Sequence, residues 1–346
     1  MRICDNHPEG HLFGKSGRHA RVVVLTVTDT EFPIARKVFG QIGDLVEIED
    51  HKAYTPRQFA DSETLPFVLV RTTDRGNLAI SNDIAEWMRL FKPQAFIIVG
   101  TAGSMWRPVD PERMVWKGVP RGDVLVSEFV HFGDFRKDTN RGKFMRYHRI
   151  DQPSSFLLGE ARGVINDPAS WHRCLGENWA DATRKPNAKE EEFLVGEQIQ
   201  DDPLDATQQY LMHTFDRAAA TEMESAGVGQ ALHSFRRDAV YAPLYISVRG
   251  VSDLIWARGS GGPLEGEADL EKARVSYSSQ HDDVDGRAAA SDDKTDERQV
   301  WSPRAAEAAS AFALALVRRL VHRSVRPMSG HPEIPSFEIS TVSGGS

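Results

Sequence analysis

A single α/β domain, a mixed and largely parallel sheet flanked by helices in three layers, is the fold class this sequence predicts over residues 20–324. Three observations carry the prediction. Short apolar runs such as Arg21-Val22-Val23-Val24-Leu25-Thr26-Val27 and Ala95-Phe96-Ile97-Ile98-Val99 suit strands covered on both faces. Segments with helical apolar spacing lie between such runs, as in parallel sheets with crossover helices. The runs end in small or polar residues, and strand ends of that kind form the rim where open α/β sheets bind ligands.

Composition narrows the function classes. The chain has 346 residues, is 40% hydrophobic and 27% charged, and carries a formal charge of −8. An acidic surface disfavours nucleic acid and anionic membranes as partners. Cys4 and Cys174 are the only cysteines, so neither a disulfide framework nor a thiolate zinc site is expected. No His and carboxylate cluster argues for a metal, and no run reaches transmembrane length. The reading is a cytoplasmic protein without metal or organic cofactor.

Residues 1–19 are polar and aperiodic, and are expected to be a flexible tail. Within them Gly10-His11-Leu12-Phe13-Gly14-Lys15-Ser16 imitates a phosphate-binding loop, with three residues between the glycines where four are needed and no preceding strand. After the first strand, Thr28-Asp29-Thr30 supplies capping chemistry for a helix over 31–39. Glu31 then sits at a strand's carboxyl end, either as a ligand group or as a complement to the helix dipole. Residues 65–70 read as a strand, and 77–91 as an amphipathic helix with Ile80, Ile84, Trp87, Met88 and Phe91 on its face. The strand at 95–99 is expected to open into a turn, Gly100-Thr101-Ala102-Gly103-Ser104, whose glycines and N–H groups suit an anion or sugar.

Residues 122–130 read as a strand, followed by an aromatic and charged stretch from His131. A helix is expected over 153–163 with a continuation near Trp171, a polar loop over 178–192, and a strand from Phe193. A further helix spans 207–215, and Glu222-Met223-Glu224 is expected to open a small-residue helix carrying Ala226, Val228 and Leu232. Residues 241–248 form a strand with Arg249-Gly250-Val251-Ser252-Asp253 at its carboxyl end. Residues 257–299 turn polar, as in an insertion or lid. Ser302-Pro303 reads as an N-cap with Pro at N1, opening an alanine-rich helix over 305–320. Residues 325–346 read as a second flexible tail.

These motifs, in this order, resemble the nucleoside phosphorylase/nucleosidase superfamily. The group includes purine nucleoside phosphorylase, methylthioadenosine/S-adenosylhomocysteine nucleosidase and AMP nucleosidase. The carriers are Glu31 after the first strand, the Gly100–Gly103 turn, Gly122-Asp123-Val124-Leu125-Val126-Ser127, Glu222-Met223-Glu224, and Val248 through Asp253. The resemblance implies the single-domain three-layer phosphorylase/hydrolase-like fold and cleavage of a purine N-glycosidic bond. Such cleavage builds positive charge on the ribose and negative charge on the leaving base, as in other oxocarbenium-like reactions. By resemblance Asp253 is the general acid at purine N7, Glu224 the acceptor for the ribose hydroxyls, and Met223 the sugar-face contact. Gly100, Thr101, Ala102, Gly103, Arg249 and Ser252 are assigned to substrate binding on the same ground. A homo-oligomer is implied as well.

The nucleophile decides between water and phosphate. The hexameric phosphorylases carry a Gly-Asp-x-x-Arg type segment after the first strand and an Arg two residues before the glycine of the second turn. Here those places read Thr28-Asp29-Thr30-Glu31 and Ile98. A carboxylate at Glu31 repels phosphate but orients and deprotonates water, so the expectation is hydrolysis. The alternative is a phosphorylase drawing its phosphate ligands from Arg71 or Arg107. The rival of another class is a catalytically idle nucleotide-sensing domain. For the substrate, segment 196–202 departs from the family's base-reading pattern, which leaves the base unassigned. The cations Arg136, Lys137, Arg141, Lys143, Arg146 and Arg149 suit a 5′-phosphate or are solvated loop charge. Superfamily members that act on AMP or ATP include antiviral effectors, and the resemblance extends the expectation to such nucleotides.

Overall fold

The computed structural model describes residues 18–48, 52–110, 115–140, 142–198, 205–236, 241–256 and 294–322. The first half of the chain runs β1 (His19–Thr26), α1 (Glu31–Phe39), β2 (Leu45–Ile48), β3 (Ala53–Pro56), β4 (Thr64–Arg71), α2 (Asn77–Phe91), β5 (Ala95–Asp110), β6 (Val115–Lys117) and β7 (Val124–Phe132). The second half runs β8 (Arg136–Thr139), β9 (Gly142–Met145), α3 (Ser155–Ile165), α4 (Ala169–His172), β10 (Ala188–Val195), α5 (Ala206–Thr214), β11 (Ala218–Glu222), α6 (Ser225–Arg236), β12 (Leu244–Trp256) and α7 (Lys294–His322).

Ten strands form one mixed sheet in the order β11-β10-β7-β12-β5-β1-β4-β3-β2, with β6 paired to β5. Its centre, β12-β5-β1-β4, is parallel throughout. The period-2 geometry of a strand is visible in β1. Val22 and Val24 enter one apolar core with α1, α3, α4 and α7, while Val23 and Leu25 enter the opposite core with α2 and α6. In β5, Ile97 and Val99 face the first core, Phe96 and Ile98 the second. Full burial on both faces explains why these strands read as unbroken apolar runs, and each such side chain contributes about 1.5–3 kcal/mol. The seven buried alanines of α7 let that helix lie close against the sheet.

Tertiary pairing changes several local expectations. β5 does not stop at Val99; it continues through Gly100–Ser104 to Asp110, because those residues pair with β12 in parallel register. β12 likewise runs through Arg249 and Asp253 to Trp256. Glu222 ends β11, and the helix begins only at Ser225. Residues 188–192, expected in a loop, belong to β10 because they pair with β7. The closing helix starts at Lys294, so Pro303 is internal to it and residues 294–299 are helical. Of the expected tail at 1–19, residues 1–17 lie outside the described residues and His19 belongs to β1; the tail at 325–346 and the rest of the insertion, 257–293, also lie outside them.

The switch in chain direction falls at β1, which has β4 on one side and β5 on the other. In open α/β sheets the carboxyl ends at such a point form the ligand crevice.

Candidate active site

Glu31 is the first residue of α1 and is buried. Its N–H donates to Thr28 Oγ1 at 3.1 Å, and its Oε2 accepts from the Thr28 N–H at 2.9 Å, the reciprocal pattern of a capping box. Oε1 points the other way, accepting the Thr101 N–H at 2.8 Å and the Thr101 hydroxyl at 3.1 Å. The carboxylate therefore ties the β1–α1 turn to β5. Gly100 makes room for it: a Cβ there would overlap Arg249 Nη1 and lie 2.8 Å from Glu31 Oε1.

Glu222, at the end of β11, acts as the cap of α6. Its carboxylate accepts the N–H of Glu224 at 3.1 Å and that of Ser225 at 3.0 Å. It also pairs with Arg249 Nη2. Glu224 shares the same nitrogen, at 3.1 Å from Oε2, and accepts the Gly76 N–H on Oε1 at 3.2 Å. The turn after β4 reaches Glu224 through Gly76, whose φ of 93° is open to glycine and strained for other residues. Asn77 locks that turn in place. Its Oδ1 accepts the Gly227 N–H at 2.7 Å and its Nδ2 donates to the Gly196 carbonyl at 3.2 Å.

Three buried carboxylates thus surround one buried guanidinium. Burial pushes the Glu224 carboxyl up, and repulsion from Glu222 and Glu31 adds to it; Arg249 and the Gly76 N–H pull it back, leaving it at about 7. Burial alone would lower the Arg249 value, but the attraction of Glu222, Glu224 and Glu31 outweighs it and keeps the guanidinium charged.

Asp253 lies four residues beyond Arg249 on the same strand, β12, and is buried. A β-bulge between Val251 and Asp253 brings Asp253 opposite Gly103. Its Oδ1 accepts the Ser252 hydroxyl at 2.6 Å.

These groups open onto one cavity of about 240 Å³. Of the residues singled out in the sequence, Glu31, Thr101, Ala102, Gly103, Met223, Glu224, Arg249, Ser252 and Asp253 line it; Gly100 lies beneath Glu31 and Arg249. Arg249 is committed to Glu222 and Glu224, and is a positioning group in the wall. Arg75, Gln198 and Ser302 also line the cavity. Gln198 falls in the segment expected near the base; Ser302, expected only as a helix cap, and Arg75, which belongs to no local pattern, are delivered by folding. The basic segment from Gly133 goes elsewhere. Its β8–β9 hairpin holds Arg136 against Asp134 and Asp138, and Lys143 against Asp138, and none of these lines the cavity. Among the described residues no group of three or more His, Cys, Asp or Glu side chains is arranged to hold a metal ion. No helix among them is long and apolar enough to cross a membrane.

No protein-family model matches the chain, and no curated protein sequence does. Solved structures do match. The native futalosine hydrolase of Helicobacter pylori strain 26695 is similar with a TM-score of 0.56 at 15% identity, over 87% of this chain and 98% of that one. A 5′-methylthioadenosine/S-adenosylhomocysteine nucleosidase of Neisseria meningitidis, in complex with methylthio-immucillin-A, matches with a TM-score of 0.55 at 15% identity, over 86% and 98%. The corresponding Helicobacter pylori nucleosidase with butyl-thio-DADMe-Immucillin-A gives 0.56 at 14% identity, over 87% and 99%. The α/β architecture expected from the sequence is the fold that these nucleosidases share.

Proposed function

We propose that this chain is a purine N-ribohydrolase, which uses water to cleave the N-glycosidic bond of a nucleoside or nucleotide and releases the free base. The observation that carries the reading is the convergence of Glu31, Glu224 and Asp253 on one cavity from three separate parts of the chain. The likeness to nucleosidases supports it at the level of fold.

In the proposed reaction Asp253 donates a proton to N7 of the departing purine, with Ser252 orienting the carboxyl through Oδ1. Ionised Glu224, fixed by Gly76 and Arg249, accepts hydrogen bonds from the ribose hydroxyls and stabilises the positive charge growing on the sugar. Met223 covers the sugar face. Glu31 orients a water and takes its proton as the oxygen bonds to the anomeric carbon. Neither a metal nor an organic cofactor is needed.

The placement of the arginines favours water over phosphate. Arg71 pairs with Asp29. The Arg107 guanidinium donates to the carbonyls of Ala218, Met212 and Phe215 at 2.5, 3.3 and 3.0 Å, and so serves the chain's own backbone. Neither lines the cavity, whose interior presents Glu31, Glu222, Glu224 and Asp253. A phosphate nucleophile would meet a field of its own sign. We extend the substrate range to adenine nucleotides such as AMP or ATP; depletion of such a nucleotide as an antiviral response would follow from that activity. Assembly into a homo-oligomer and a cytoplasmic setting belong to the same reading.

The test is incubation with purine nucleosides and nucleotides, with and without phosphate, followed by chromatography of the free base. Release without phosphate is the expected result. A strict phosphate requirement would make the protein a phosphorylase, and saturable binding without release in any condition would make it a sensor.

A further inference from the structure

We infer that Arg75 is the specificity residue for an anionic 5′ substituent, which makes a nucleoside 5′-phosphate a better substrate than the nucleoside. The inference rests on the N-ribohydrolase reading and deepens it. Sheet order supplies the polarity of the site. The groups around the cavity come from β12 (Asp253), β5 (Thr101 and Gly103), the turn after β1 (Glu31) and the turn after β4 (Arg75), in the order in which those strands lie side by side. Three strand spacings separate the two ends, about 14 Å. With the base protonated at the β12 end and the sugar between Glu31 and Glu224, the 5′ end of a bound nucleotide is directed towards the turn after β4. That turn is anchored to the sugar site, since Gly76, the next residue, donates its N–H to Glu224.

Arg75 is the cation available there. Of the two arginines lining the cavity, Arg249 is buried and paired with two carboxylates, whereas the Arg75 side chain is exposed and forms no ion pair among the described residues. The backbone donors beside it are taken: the Gly76 N–H by Glu224, and the Asn77 N–H by Glu197 Oε2 at 3.2 Å. An anion at this end would thus be met by the side chain of Arg75. Across the opening, the turn after β1 offers Thr28 and Thr30. Thr28 Oγ1 accepts the Glu31 N–H, which leaves its own proton to donate. A planar guanidinium with nearby hydroxyls matches a phosphate monoester. The nearest carboxylates, Glu224 and Glu197, accept the Gly76 and Asn77 N–H groups, so their charge is partly met by backbone donors beside Arg75.

The experiment compares kcat/KM for a purine nucleoside and its 5′-monophosphate in the unaltered chain, Arg75→Gln and Arg75→Lys, with ribose and ribose 5-phosphate titrated calorimetrically into each. The unaltered chain should favour the monophosphate. Arg75→Gln should reduce that preference on the order of 10- to 100-fold, with partial recovery in Arg75→Lys and with weaker ribose 5-phosphate binding. No preference in the unaltered chain, or an equal fall for both substrates in Arg75→Gln, overturns the inference and leaves the hydrolase reading standing. Arg75-dependent binding of ribose 5-phosphate without base release from either substrate would sink the hydrolase reading while supporting the anion site. If ribose 5-phosphate binds no better than ribose and no base is released, both fail.

Discussion

Arg249 and Glu224 meet at 3.1 Å inside the protein, and the same guanidinium nitrogen also serves Glu222. One cation therefore balances two adjacent carboxylates and, through space, Glu31. Arg249→Met would remove the guanidinium that offsets these carboxylates. Stripping one partner from a buried pair costs about 3–5 kcal/mol, so thermal denaturation should show a marked loss of stability, smaller in Arg249→Lys. An unchanged melting temperature in Arg249→Met would contradict the pairing.

Glu224, raised to about 7, gives the stability of the fold a pH dependence. A carboxyl whose folded pKa exceeds its ordinary 4.5 binds protons more tightly in the native state. Its contribution is complete below about pH 4.5 and is lost as pH rises through 7, with a size on the order of 3 kcal/mol before coupling to its neighbours is discounted. Denaturant unfolding between pH 5 and 8, compared with Glu224→Gln, should show a falling component that the variant lacks. Activity should run the other way. The proposed role needs the ionised carboxylate, so kcat/KM should climb with pH through about 7, and a flat profile there would count against it.

Asp253→Asn keeps the shape of the side chain and a partner for the Ser252 hydroxyl, but abolishes acid chemistry. Base release should drop about 10²- to 10⁴-fold while circular dichroism and melting stay close to those of the unaltered chain. Full activity in a folded Asp253→Asn protein would remove Asp253 from the mechanism.

Gly100→Ala places a methyl group against Arg249 Nη1 and 2.8 Å from Glu31 Oε1. Both neighbours are held by hydrogen bonds, so the methyl cannot be absorbed by a free side chain. The expected outcome is at least a 10-fold fall in kcat with a destabilisation of about 1–3 kcal/mol, read by steady-state kinetics alongside calorimetry.

Several residues of the candidate cavity stand out in the sequence because they follow strongly patterned apolar runs. Glu31 follows an apolar run and the capping residues Thr28-Asp29-Thr30, and Asp253 follows another run, so local rules direct both towards the crevice. Glu222 carried no role in the sequence, since capping of α6 and pairing with Arg249 depend on a turn and on a strand 27 residues away. The ends of β5 and β12 were misplaced for a related reason. Gly100–Ser104 has the composition of a turn, yet each strand supplies the hydrogen-bonding partner that keeps the other extended.

The alternation of apolar strands and amphipathic helices determined by itself the fold class and the strands that lie at the centre, because burial on both faces leaves a direct imprint on residue type. It also determined that Glu31 and Asp253 follow apolar runs. Only the tertiary structure decided that Glu31, Glu224 and Asp253 share one cavity, that Glu222, Glu224 and Glu31 share a single guanidinium, and that the turn carrying Gly76 and Arg75 stands beside them. Hydrogen bonds and charge compensation between residues some 150 positions apart, such as Gly76 and Glu224, leave no periodic trace in the chain. The same holds for the basic segment, where Arg136 and Lys143 look ready for phosphate in the sequence and are drawn by folding into ion pairs outside the cavity. Composition counts charges, whereas their partners are set by the distances that folding creates.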